Sequence, residues 1–132
     1  MNFFELDNKI NGTKIVDEKG QPLVVYHGGP PKASFDPEHG TRRGGEYGIY
    51  FTPRKRYAEA FGNGVASPYY LKMSNPIFIE NKDEISPRNL TKKDAEQLVK
   101  QGYDGIVDKK KSDPISRAFE IIAFRNDQVI KL

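Results

Sequence analysis

Short apolar runs separated by turn-forming residues dominate this chain, and they predict more strands than helices. The predicted strands are residues 14–16, 23–26, 69–73, 106–107, 120–124 and 129–132. Asp17-Glu18-Lys19-Gly20 has the composition of a tight turn, so the first two strands should form a hairpin. The strand at residues 69–73 should end at Asn75-Pro76, because proline has no backbone N–H to offer a sheet.

Two segments have apolar side chains at helical spacing. Residues 54–61 predict a short helix that ends at Gly62-Asn63-Gly64. The second helix should begin after Thr91, because Asp94 lies three residues further on, as in a capping box. Gly102 should end that helix.

Together these elements predict an α+β fold, most simply a split or bent antiparallel sheet with a few short helices at one side. Residues 28–47 contain five glycines and three prolines without a regular period, so they predict a long loop. Loops longer than about 12 to 15 residues usually have a function. With 132 residues of even composition, residues 1–132 should form a single domain.

Composition narrows the possible chemistry. The chain has no cysteine, which excludes disulfides and thiolate zinc sites, and no cluster of residues has metal-ligand spacing, so we expect no metal. The net charge of +3 and the sequence pI near 9.0 indicate a mild basic bias. Part of that charge lies in Arg42-Arg43, Arg54-Lys55-Arg56 and Lys109-Lys110-Lys111. Such clusters can follow the phosphates of a dinucleotide or nucleic acid, and they can equally be solvated surface.

Nothing in the sequence predicts a membrane segment. No stretch approaches the roughly 20 apolar residues that span a bilayer. The first ten residues include Glu5 and Asp7 and lack the apolar run of a signal peptide. We therefore expect a soluble monomer in the cytoplasm, either of its own cell or of a host cell into which it is delivered.

Three side chains at the edges of predicted strands are candidates for chemistry. His27 precedes two glycines, which let a flat ligand approach the backbone closely. Tyr50 lies in Gly48-Ile49-Tyr50-Phe51-Thr52, where its ring can stack on a ligand. Glu120 opens an apolar strand, where a buried carboxylate needs a partner. Taken alone, His27 could be a structural histidine and Glu120 an exposed charge at a strand end.

In this order, His27, Tyr50 and Glu120 resemble the His, Tyr, Glu triad of the ADP-ribosyltransferases related to diphtheria toxin and the poly(ADP-ribose) polymerases. Residues 14–28, with Phe35-Asp36 and Asn75-Pro76-Ile77, are similar to the ADP-ribosyltransferase domains of bacteriophage and mobile-element polyvalent proteins. The similarity extends from about Lys14 to Leu132. It implies an ADP-ribosyltransferase-like split sheet and an enzyme that uses NAD as a co-substrate without a metal.

The resemblance also implies a role for each site residue. Glu120 would bond the ribose 2′-hydroxyl as the nicotinamide bond breaks, and His27 would donate to a ribose hydroxyl. The backbone of Gly28 would hold the nicotinamide carboxamide. Tyr50 and Phe61 would stack on the two faces of the nicotinamide ring. The polymerases have a serine for the carboxamide where this chain has Ala58, which leaves that contact to Gly28.

The sequence gives less information on the residues that would bind the adenosine half of NAD and on the acceptor. Arg42 and Arg43 are predicted to contact the pyrophosphate or the adenine, since a guanidinium binds phosphate oxygens and stacks on rings. The loop at residues 109–119 is where transferases of this kind select their acceptor. Arginine-modifying toxins have a Glu or Gln where this chain has Ala118, which disfavours arginine as the acceptor. A protein side chain, a nucleic acid and a small molecule remain open, and a toxin or phage-delivered effector would fit the pattern.

Three interpretations follow from the sequence. The first is a mono-ADP-ribosyltransferase or an NAD glycohydrolase. The second is an RNA 2′-phosphotransferase of related fold, which would depend on several basic residues. The third is a non-catalytic module of the same fold that binds a nucleotide, a nucleic acid or a partner protein. Loss of NAD cleavage on removal of the Glu120 carboxylate would separate an enzyme from a binding module.

Overall fold

The computed structural model describes residues 9–80, 90–109 and 120–132. Within them the chain forms two sheets and two helices of an α+β fold, as predicted from the sequence. The elements in chain order are β1 (Val25–Gly28), β2 (Ile49–Phe51), α1 (Lys55–Phe61), β3 (Ala66–Leu71), β4 (Pro76–Ile79), α2 (Lys92–Lys100), β5 (Gly105–Asp108), β6 (Glu120–Ala123) and β7 (Val129–Lys131). Short 3₁₀ turns lie at Thr41–Arg43 and Asn126–Gln128.

The strands form a split sheet. One sheet has the order β1-β3-β7 and is antiparallel throughout, and the other has the order β2-β6-β5-β4. A backbone bridge joins them, in which Tyr26 N–H donates to Thr52 O at 2.7 Å and Thr52 N–H donates to Tyr26 O at 3.0 Å. Because the backbone groups of Tyr26 point toward Thr52, Tyr26 and Pro68 form a non-hydrogen-bonded pair of the β1–β3 ladder, a position that needs no N–H from the proline on the β1 side.

The four-stranded sheet is buried on both faces. In β6, Ile121 and Ala123 pack into a core cluster shared with the three-stranded sheet. Ile122 points to the opposite face and packs with residues of α2. This two-sided burial explains why residues 121–124 are apolar without alternation.

The helices begin and end largely where the sequence predicts. Thr91 Oγ1 accepts from Asp94 N–H at 3.1 Å, and an Asp94 carboxylate oxygen accepts from Thr91 N–H at 3.1 Å, which completes the predicted capping box. α2 then runs over Lys92–Lys100. α1 runs over Lys55–Phe61 and ends at Gly62, which matches the prediction for residues 54–61.

The first predicted hairpin forms with a shorter strand than expected. Val16 and Pro22 make an isolated bridge, and the Asp17 carboxylate accepts from the N–H groups of Lys19 and Gln21 in the turn. Residues 14–16 otherwise form no strand, because Lys14 N–H donates to Met73 O instead of to a hairpin partner. The predicted strand at residues 69–73 begins earlier and ends earlier, at Ala66–Leu71.

Two features of the sheet were not predicted from the sequence. Asn75-Pro76 does not only end a strand, because Pro76 is the first residue of β4. The Asp104 carboxylate accepts from Ser74 N–H at 2.8 Å and from Asn75 N–H at 3.1 Å, which turns the chain into this new strand. β4 pairs with β5 in parallel, so the core is not purely antiparallel. The intervening α2 supplies the crossover that a parallel pair needs.

Candidate active site

A cavity of about 250 Å³ lies beside the bridge that joins the two sheets. Its walls come from β1, β2 and the residue after it, α1 and the first residue of β6. The lining residues are Tyr26, His27, Gly28, Tyr50, Phe51, Thr52, Tyr57, Ala58, Phe61 and Glu120. The cavity is therefore lined by residues of both sheets and of α1.

His27 is oriented by the backbone of the neighbouring sheet. Its Nδ1 lies 2.7 Å from Tyr50 O. Since a carbonyl oxygen can only accept, Nδ1 carries the proton, and Nε2 of the neutral ring is an acceptor. The imidazole also packs against the ring of Phe35, in an edge contact at 4.9 Å between centroids, and against the tilted ring of Phe51 at 5.5 Å.

This geometry reverses one expected hydrogen bond. Burial lowers the pKa of His27 below its usual value, the bond to Tyr50 O partly opposes that shift, and the positive charge of Lys32 adds to it. The ring is therefore neutral at pH 7. We expected His27 to donate to a ligand hydroxyl, but the neutral ring with its proton on Nδ1 can only accept at Nε2, so the hydroxyl would donate.

Tyr50 and Glu120 share one face of the four-stranded sheet. Tyr50 is opposite Ile122 in the ladder, and Glu120 lies two residues before Ile122. Because side chains alternate along a strand, all three point to the same face. Burial raises the pKa of the Tyr50 phenol, and the negative charges of Glu46 and Glu120 raise it further, so the phenol stays protonated.

Glu120 is half-buried at the beginning of β6. The hydroxyl of Tyr57 donates to its Oε1 at 3.2 Å. Tyr57 was not predicted as a site residue, although a signal for it exists. It lies four residues before Phe61, so on a helix both side chains point the same way, and their ring centroids are 5.2 Å apart.

Gly28 allows α1 to pack directly on β1. A Cβ at this position would lie 2.7 Å from Ala58 O and 3.0 Å from Gly62 N. In the ladder with β3, Gly28 also directs its N–H and C=O to the same side as Tyr26, whose backbone bonds to β2. The glycine thus brings a backbone donor and acceptor to the cavity and makes room for the helix.

Phe61 completes the cavity on the solvent side. It is the last residue of α1, and its side chain is 73% exposed although it lines the cavity. An aromatic ring that projects into solvent beside a cavity offers a free face to a ligand.

The two predicted arginines lie elsewhere. Arg42 forms ion pairs with Asp36 and, at 3.7 Å, with Glu38, and Arg43 is exposed. Glu38 in turn contacts Lys92 of the α2 N-terminus at 2.5 Å. The structure thus brings Glu120, His27, Tyr50, Gly28 and Phe61 together at one cavity and does not place Arg42 or Arg43 in its lining. Their contact with a ligand stays a prediction.

Within the described ranges, no three His, Asp or Glu side chains form a group that could hold a metal ion. The same part of the chain contains no helix long and apolar enough to cross a membrane. Ala118 and nearly all of the predicted acceptor loop at residues 109–119 lie outside the described residues.

The chain was compared with known protein families, curated proteins and solved structures. A family model described as ADP-ribosyltransferase in polyvalent proteins matches residues 17–131, which is most of the chain. No curated protein and no solved structure matches the chain.

Proposed function

This chain belongs to that family of ADP-ribosyltransferases, and on this premise we propose that it uses NAD as its co-substrate. In the proposed reaction the bond between nicotinamide and ribose breaks in the cavity, and ADP-ribose passes to an acceptor. One observation carries the proposal: His27 of one sheet and Tyr50 and Glu120 of the other sheet line the same cavity.

Nicotinamide binding would use the aromatic and backbone groups of the cavity. Tyr50 and Phe61 both line it, and each can offer a ring face to nicotinamide. Gly28 directs its N–H and C=O toward this space, which suits the carboxamide's acceptor and donor. Ala58 contributes no side-chain hydrogen bond, so the carboxamide would depend on Gly28.

Catalysis would depend on the Glu120 carboxylate. When nicotinamide leaves with the bonding electrons, positive charge develops on the ribose, as in glycoside hydrolysis. The hydrogen bond from the 2′-hydroxyl to a carboxylate strengthens as this charge grows. It therefore stabilises the transition state more than the bound substrate, which lowers the barrier. Nε2 of His27 would accept from a second ribose hydroxyl and hold the sugar in place.

The acceptor attacks the ribose carbon that nicotinamide has left. A protein or nucleic-acid nucleophile would make the enzyme a mono-ADP-ribosyltransferase, and water would make it an NAD glycohydrolase. A role as a toxin or effector encoded by a phage or mobile element, and action in the cytoplasm, are further parts of this proposal. Their support is the family to which the chain belongs.

Nicotinamide release from NAD by the wild-type protein and by Glu120→Gln tests the proposal. The substitution keeps the size of the side chain and removes its charge, so release should fall by a factor of about 10² to 10³. Glu96→Gln, a matched change of an exposed carboxylate on α2, should leave release at the wild-type rate. Both variants should unfold at the wild-type temperature.

The same assay with NAD labelled in its adenine half and a cell lysate identifies the type of product. Label transferred to protein or nucleic acid would support transfer. Free ADP-ribose alone would support a glycohydrolase. If the wild-type protein binds NAD but releases no nicotinamide under any of these conditions, the chain is a non-catalytic module.

A further inference from the structure

Tyr57 contacts the proposed catalytic carboxylate from outside the predicted triad. Its hydroxyl donates to Glu120 Oε1 at 3.2 Å, and both residues line the cavity. We propose that Tyr57 is a positioning residue that fixes the rotation of the Glu120 carboxylate. This inference rests on the proposed function for its consequence in catalysis, but the contact itself can be tested without activity.

The position of Glu120 explains why a donor is needed there. Glu120 is the first residue of β6 and lies opposite Asp108 in the ladder, so the two carboxylates are on the same face. Like charges directly opposite each other in a sheet are unfavourable. A glutamate also has three side-chain torsions, which must be fixed for its carboxylate to hold one orientation. The Tyr57 hydroxyl offers the carboxylate a defined partner on the helix side.

The helix that carries Tyr57 is itself closely fixed. Gly28 in β1 leaves room for the backbone of α1, since a Cβ there would lie 2.7 Å from Ala58 O. A Cβ on Gly62 would overlap the backbone of Gly29, so the helix end is also in close contact with the chain after β1. Tyr57 is thus placed relative to the strand that carries His27. Its hydroxyl then sets Glu120 of the other sheet at a definite distance from that strand.

The hydrogen bond from Tyr57 should affect the ionisation of Glu120 as well as the orientation of its carboxylate. A donor to a carboxylate stabilises its ionised form. The ionised form is the one that stabilises positive charge on the ribose. Loss of the hydroxyl should therefore reduce the fraction of molecules with a charged, correctly rotated Glu120, while nicotinamide binding by Tyr50, Phe61 and Gly28 continues.

Tyr57→Phe removes the hydroxyl and keeps the ring against Phe61. We expect kcat for nicotinamide release to fall about 10-fold, because a hydrogen bond to a charged group is lost in the transition state. The KM for NAD should stay within about two-fold, because ground-state binding is retained. The acid limb of the pH profile of kcat/KM should move to higher pH.

Tyr47→Phe is the matched control. The Tyr47 hydroxyl donates to Phe124 O at the same distance of 3.2 Å, but outside the cavity. Its loss should leave kcat and the pH profile at the wild-type values. A Tyr57→Phe protein with wild-type kcat and an unmoved acid limb would overturn the inference. So would a raised KM with unchanged kcat, which would make Tyr57 a contact to NAD.

A second measurement separates this inference from the proposed function. The side-chain carboxyl carbon of Glu120 can be titrated by NMR, and its signal assigned by its absence in Glu120→Gln. If the wild-type protein releases no nicotinamide, the proposed function fails, and the titration alone decides the role of Tyr57. A midpoint at higher pH in Tyr57→Phe than in the wild-type protein supports the inference. Identical midpoints overturn it.

Discussion

His27 and Glu120 lie on opposite sheets, and different kinds of contact orient them. His27 lies within β1, where the carbonyl of Tyr50 fixes its Nδ1 and the rings of Phe35 and Phe51 pack against it. Glu120 begins its strand and receives a side-chain hydrogen bond from Tyr57 of α1. His27 is thus oriented by a backbone carbonyl and by packing, whereas Glu120 also has a hydrogen bond from a side chain of another element.

The largest loss of stability should follow from substitution of Gln128, whose hydrogen bonds join the two sheets. This side chain is 2% exposed. Its Oε1 accepts from Phe124 N–H at 3.0 Å and Arg125 N–H at 2.9 Å, after β6. Its Nε2 donates to Asp104 O at 2.8 Å, before β5, and to Lys72 O at 3.3 Å, after β3. Gln128→Ala should lower the free energy of unfolding by about 3 kcal/mol, because buried backbone groups lose their partners.

Urea denaturation would measure this loss, with Gln101→Ala as the control. Gln101 is exposed at the end of α2, so its substitution should change the free energy of unfolding by less than about 0.5 kcal/mol. Similar values for the two variants would show that Gln128 does not hold the sheets together.

The next largest loss of stability should follow from a substitution beside His27. The ring of Phe35 lies 4.9 Å from that of His27 and 5.3 Å from that of Tyr69. Phe35→Ala should cost about 2 kcal/mol of unfolding free energy, less than for a fully buried phenylalanine because the ring is partly exposed. Nicotinamide release should also fall, since His27 loses the packing behind its imidazole.

Phe78→Ala provides the comparison on the Glu120 sheet. Phe78 is 45% exposed on β4, the edge strand furthest from β2. Its loss should cost less than about 1 kcal/mol and leave nicotinamide release unchanged. Equal losses of activity in the two variants would mean that Phe35 has no special effect on His27.

The smallest expected effect concerns pH. An unfolded histidine titrates near about 6.5, and burial lowers the pKa of His27 in the folded protein. At a pH between these two pKa values, His27 is protonated in more of the unfolded chains than of the folded molecules. The free energy of unfolding therefore falls as the pH drops through this window. His27→Asn removes this titration. The stability advantage of the wild-type protein over the variant should therefore shrink as the pH falls below about 6.5.

Chemical denaturation at a series of pH values would measure that difference, with His39→Asn as the control. His39 is exposed in the long loop, so its substitution is the same change of side chain without any effect on the packing around the His27 ring. A constant difference between wild type and His27→Asn at every pH would show that the folded environment does not lower the pKa of His27.

Local signals explain why much of the fold was predictable. The Thr91 capping box and the glycine after Phe61 define two helices through contacts between near neighbours in sequence. β4 was not predicted because its start depends on Asp104, about thirty residues away, whose carboxylate turns the chain at Asn75. Its parallel pairing with β5 likewise involves residues distant in sequence, since Ile79 of β4 lies in one buried cluster with Ala95 and Leu98 of α2.

The same distinction holds for the candidate site. His27, Tyr50 and Glu120 were predicted from strand edges and from a resemblance, and the structure brings them to one cavity. The bond from Tyr57 to Glu120 joins residues 63 apart in sequence, so no local pattern reveals it. Arg42 was expected at a ligand from its charge; in the structure it forms ion pairs with Asp36 and Glu38, and its contact with a ligand stays a prediction.

The place of β6 between β2 and β5 has a consequence for protein synthesis. Until the ribosome has made Ala123, β2 and β5 have no common partner and the four-stranded sheet cannot close. The strand that closes the sheet is also the one that begins with Glu120, the proposed catalytic carboxylate. A nascent or truncated chain without β6 would lack this carboxylate, so the proposed cleavage of NAD should arise only after β6 has joined the sheet.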